Sequence, residues 1–104
     1  NGTFDALERD CLLNCAACTL QLDDPTGARQ FCDAALAIDA NCAKGLYRRG
    51  QAFLHLYKAD GKRRHARRAL KDLGKAVELA PCSAVIRRTW TKACLDLCDA
   101  SSQM

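Results

Sequence analysis

Two prolines and six glycines in 104 residues leave few points where a helix must stop, and β-branched residues are too scarce to build strands. A β or mixed architecture is therefore excluded. Apolar residues make up 49% of the chain, yet charges interrupt them everywhere and no 18-residue apolar run exists, so no bilayer-spanning helix is expected. Residues Asn1 to Asp10 carry acids and lack the basic start and apolar core of a secretory leader, which makes the Asn1-Gly2-Thr3 sequon fortuitous. The length holds one domain and is short for most enzyme folds with their site-forming loops. His55 and His65 have no cysteine, serine or acid at a recognisable catalytic spacing, so no catalytic site is expected.

Alanine and leucine dominate instead, the composition of a helical protein. Sixteen basic against twelve acidic residues give a formal charge of +4, an excess that favours an acidic partner without demanding nucleic acid. The eight cysteines could indicate a disulfide scaffold, but the helical pattern supplies a core without staples, and they read as reduced, cytosolic thiols acting as small buried hydrophobes. Cys11, Cys15 and Cys18 reproduce the CxxxCxxC spacing of radical iron–sulfur enzymes. Here that spacing lies inside a continuous helix of a chain too short for the accompanying barrel. Cys94 and Cys98 share a helix face, but no CxxC pair or nearby histidine completes a zinc site. Neither metal nor other cofactor is expected.

An internal repeat organises the chain. Leu12, Ala16, Leu20 and Leu22 correspond, 34 residues on, to Leu46, Gly50, Leu54 and Leu56. Ala28, Cys32, Ala35 and Ala40 correspond to Ala69, Leu73, Ala76 and Pro81 at an offset of 41, so the second unit carries about seven extra residues, within Lys58 to Arg68. The pattern predicts helices near 4–22, 25–38, 42–58, 63–79 and 82–99. Pro25 suits the first turn of a helix with Asp24 as its N-cap, and Pro81 suits a stop after the apolar run ending at Leu79. Ala16, Gly50, Ala28 and Ala69 are small enough to let antiparallel helices approach closely. The last segment is amphipathic through Ala84, Ile86, Trp90, Ala93, Cys94 and Leu97, and reads as a closing helix.

Leu46, Gly50, Phe53, Ala69, Leu73, Ala76 and Pro81 resemble the tetratricopeptide repeat; the first unit is a looser match, with Thr19 where an aromatic is usual and Ala40 in place of proline. The resemblance implies an all-α, right-handed superhelix of antiparallel hairpins. Repeat one would span 9–42, repeat two 43–83 with an insertion around 58–68, and a closing helix 84–99. Such arrays usually need three units, so the chain reads as a fragment lacking a preceding hairpin, with an exposed solenoid end on which two copies could dimerise. The stretches around Asn14 and around Lys44 to Gly50 are similar to the co-chaperone branch, the immunophilin-type prolyl isomerases with a tetratricopeptide tail. That implies a cytoplasmic interaction module, its parent bearing an isomerase domain. It would bind the acidic C-terminal peptide of ninety- or seventy-kilodalton heat-shock chaperones through a carboxylate clamp of Asn14, Lys44 and Arg48. The groove around the clamp would be lined by Leu13, Ala17, Gln21, Tyr47, Gln51 and His55.

Plainer readings stand beside these. Lys44 and Arg48, four residues apart, could be solvated helix charges; Asn14 could bond a neighbouring hairpin, and Tyr47 could pack between helices. The groove could serve a generic scaffold that binds an internal segment of another partner. Lys58, Lys62, Arg63, Arg64, Arg67, Arg68 and Lys71 form a basic run that could meet nucleic acid or an acidic surface, although it fits two lengthened helices with solvated faces.

Overall fold

Ala28, Cys32 and Ala35 on one helix, and Ala69, Leu73 and Ala76 at the equivalent positions of another, are all fully closed to solvent. In the computed structural model the backbone is described for residues 2–102 and side chains for 3–97. Five helices form among the described residues: α1 (Gly2–Gln21), α2 (Pro25–Ile38), α3 (Ala43–Asp60), α4 (Arg63–Leu79) and α5 (Ala84–Ser102). Connections of two to four residues oblige sequential helices to pack antiparallel, α1 on α2 and α3 on α4. The second hairpin stacks on the first through α2 and α3, and α5 closes α4, giving an elongated slab of 49 × 28 × 19 Å. Leu36, Leu46, Ala76 and Ile86 form a buried cluster that joins four of the helices.

The helix ends have identifiable causes. Asp24 caps α2 by accepting the Gly27 N–H at 3.0 Å, with Pro25 at the first helical position. α3 runs two residues beyond its expected end because only Gly61 stops it. That glycine takes φ +68° and returns its N–H to the Tyr57 carbonyl at 2.7 Å. The insertion thus lengthens α3 and α4 and leaves two residues of loop between them. α5 begins at Ala84 rather than 82, because Ser83 accepts the Ile86 N–H at 3.4 Å and Pro81–Cys82 form the preceding turn.

One helix boundary and two expectations of burial are corrected. Leu22 is 78% exposed, since α1 ends one residue earlier and the chain turns away through Asp23 at φ 61°. Ala84 is exposed at the start of α5. Among the described cysteines only Cys32 behaves as a fully buried hydrophobe: Cys11, Cys15, Cys18 and Cys82 are exposed, and Cys42 and Cys94 are half-buried. On α1 the cause is phase. Cys11, Cys15 and Cys18 lie on the face opposite Leu13 and Ala16, beside exposed Phe4 and Leu7. The side chain of Cys98 lies outside the described residues.

Candidate functional site: a basic groove along α1, α3 and α5

Lys44, Arg48, Gln51 and His55 follow one another on α3 at steps of four, three and four residues, so they share one helical face. Arg48, half-buried, reaches across to α1 and donates from Nη1 to the Leu13 carbonyl at 2.5 Å. This sets the guanidinium against α1 one residue before Asn14. One N–H is spent on that carbonyl, and the rest of the fork bonds no other described residue. Asn14 and Lys44 are exposed, and neither side chain bonds another described residue. Among the described residues no carboxylate lies within ion-pair distance of Lys44 or Arg48, so this end of the groove carries positive charge that none of them compensates. Carboxylates nearby are engaged elsewhere: Asp10 and Asp39 hold Arg9 at 3.3 and 3.1 Å.

Further along, a cavity of 330 Å³ opens between α3 and α5. Gln51 and His55 line it from α3, and Thr89, Lys92 and Leu97 from α5. Because Gln51 and His55 continue the face that starts at Lys44, the cavity extends the groove away from Arg48. His55 Nδ1 also stands 3.9 Å from the Asp23 carboxylate, which is almost fully exposed.

The remaining groove residues divide. Ala17 is half-buried on α1, and Gln21 is exposed at its end. Leu13 is corrected from groove wall to core: its side chain is 4% exposed, wedged beside Gly45 between α1 and α3, and only its carbonyl serves the groove. Tyr47 packs against the buried cluster and meets Thr89 Oγ1 at 3.4 Å, which ties α3 to α5. The contribution of α5 was not read from sequence. The signal available was Thr89 and Lys92, three apart on α5 and flanking the apolar stripe of Ile86, Ala93 and Leu97.

Behind the groove, Arg49 was also missed. It holds Asp72 of α4 through two bonds at 2.8 and 2.9 Å and Asp33 of α2 at 3.0 Å. The Asp72 bonds in particular push the guanidinium further above its ordinary pKa. This three-helix ion pair fixes α3, and with it Arg48. Among the described residues no group of three or more His, Cys, Asp or Glu side chains gathers as a metal site. No helix among them is long and apolar enough to cross a membrane.

No family model matches the chain. It is 35% identical over 80 residues to the human peptidyl-prolyl cis-trans isomerase FKBP4, an alignment covering 73% of this chain and 17% of that protein. The chain thus spans about a sixth of the length of that relative. The C-terminal TPR-containing domain of a Plasmodium falciparum putative FK506-binding protein superimposes with a TM-score of 0.81 at 28% identity, over 94% of this chain and 60% of that one. The first TPR of Spaghetti (RPAP3), bound to the HSP90 peptide SRMEEVD, matches with a TM-score of 0.74 at 24% identity, over 86% of this chain and 66% of that one.

Proposed function

We propose that this tetratricopeptide-repeat domain, whose relatives are FKBP-type immunophilins and whose structural neighbours are the TPR domains of co-chaperones, binds the acidic C-terminal peptide of a heat-shock chaperone. The observation that carries the reading is Arg48, anchored between α1 and α3 with donors to spare. Lys44 stands one turn before it and Asn14 across from it, and no carboxylate among the described residues neutralises the two cations. A terminal aspartate presents two carboxylates, and charge-assisted bonds from ammonium and guanidinium groups hold these about twice as strongly as neutral partners would. Asn14 adds direction without charge. Residues upstream of the terminus would run along α3 into the cavity between α3 and α5. The Spaghetti domain supports the reading at the level of fold: an array of this architecture holds a peptide ending in Glu-Glu-Val-Asp.

The same proposal puts a further hairpin over the exposed apolar face of α1, adding ligands to the clamp, and an isomerase domain elsewhere in a cytoplasmic parent protein. This chain itself does no chemistry in this account. Arg48→Ala is expected to cost about 2–4 kcal/mol of peptide affinity, since it removes a half-buried charged partner. Lys44→Ala, at an exposed position, should cost about 1 kcal/mol or less. Calorimetric titration with a peptide ending in Met-Glu-Glu-Val-Asp measures both. Parent-like affinity of Arg48→Ala would remove the clamp from the account.

A further inference from the structure

We propose that the convex side carries a second binding site, a trough between α2 and α4 that takes an acidic segment of a partner protein independently of the concave groove. Two depressions of 240 and 330 Å³ share Arg49, Lys71 and Asp72 on their walls and so form one trough. Its floor is the Arg49 ion pair. There Asp72 and Asp33 are already bonded to guanidinium and repel an incoming anion only weakly.

The α4 wall is different. Arg68, Lys71 and Lys75 are exposed, with Arg64 one turn before them, and among the described residues no carboxylate lies within ion-pair distance of any of the four. The positions i, i+4, i+7 and i+11 draw these cations into a row about 16 Å long, the reach of about five residues of extended chain. Across the trough, Arg29 of α2 lies 5.4 Å from the centre of the Phe53 ring, and Arg68 lies 5.8 Å from the same ring. One buried aromatic therefore holds two guanidinium groups, one from each wall, which lowers the ordering cost of capturing carboxylates between them.

The trough favours a polypeptide over nucleic acid. Phe53 is 4% exposed and covered by the two guanidinium groups, so no base can stack on it. Asp33 stays 46% exposed, an acceptor for the backbone N–H groups that a peptide offers and a phosphodiester lacks.

The test is fluorescence anisotropy of the whole chain with a labelled oligoglutamate whose C-terminus is amidated, so that the concave clamp has no terminal carboxylate to grip. Lys71→Glu with Lys75→Glu should weaken binding by about tenfold or more, and Lys71→Gln with Lys75→Gln by less, with the helical circular dichroism unchanged. The charge-matched Arg87→Glu with Arg88→Glu on exposed α5, and Arg48→Ala in the groove, should change it by about twofold or less. Three results would overturn the proposal: no binding by the parent at low salt, equal loss from the α4 and α5 reversals, or tighter binding of a single-stranded oligonucleotide of the same charge.

Discussion

Replacing Gly50 by alanine would put a methyl carbon 2.7 Å from Leu73 Cγ and 2.8 Å from its Cδ2. Leu73 is among the largest fully buried side chains, so it has no space to swing into, and α3 and α4 must part instead. Overpacking of this kind costs about 1–3 kcal/mol, whereas alanine gains the helix about 1 kcal/mol over glycine, leaving a net destabilisation of about 0–2 kcal/mol. For a domain of this size a loss of about 1 kcal/mol lowers Tm by roughly 4–8 °C. Leu73→Ala alone should cost about 2–5 kcal/mol through lost burial and the cavity it leaves. In the double variant the new methyl enters the vacated volume, so the total should fall below the sum of the single effects by about 1 kcal/mol or more. Urea unfolding followed by helical circular dichroism measures all four corners of the cycle. Simple additivity would refute the claim that this glycine exists to let two helices touch.

Asp72→Asn should destabilise the fold by about 2–4 kcal/mol in the same assay; breaking a buried pair costs about 3–5 kcal/mol, discounted here because Arg49 is partly exposed. Stability equal to the parent would show that Asp33 alone suffices for Arg49. Burial pushes the Cys32 thiol up to about 12, so a thiol reagent at neutral pH should reach it slower than exposed Cys11, Cys15, Cys18 and Cys82 by about two orders of magnitude. Loss of a fast-reacting thiol in Cys32→Ala would contradict this. The Asp60 carboxyl is held below its ordinary 3.8, chiefly by the Lys62 backbone N–H and then by His65. Its contribution is therefore present above that value and lost as pH falls through the lowered one. Asp60→Asn should be less stable than the parent at neutral pH and converge with it in strong acid, and a gap that persists there would overturn the assignment.

The repeat was legible because burial obeys helical phase. Ala28 and Ala69, Cys32 and Leu73, and Ala35 and Ala76 are matched in sequence and equally buried. The same phase puts Cys11, Cys15 and Cys18 outside with Phe4, because position on the helix outweighs the usual burial of cysteine. Lys44, Arg48, Gln51 and His55 could be placed on one face from their spacing alone. What their spacing could not reveal was a partner on another helix: the Leu13 carbonyl that holds Arg48, the Thr89 hydroxyl that meets Tyr47, or the Asp33 and Asp72 carboxylates that hold Arg49. Each such pair joins residues 16 to 42 positions apart, and packing decides it rather than local pattern.

The central claim is that the groove reads a free C-terminal carboxylate. Calorimetry of the chain with a peptide ending in Met-Glu-Glu-Val-Asp, free and amidated, tests it directly. The account predicts that amidation weakens binding by about tenfold or more and that Arg48→Ala abolishes the difference between the two peptides. Equal affinity for the free and amidated forms would contradict it and leave a groove that binds internal segments.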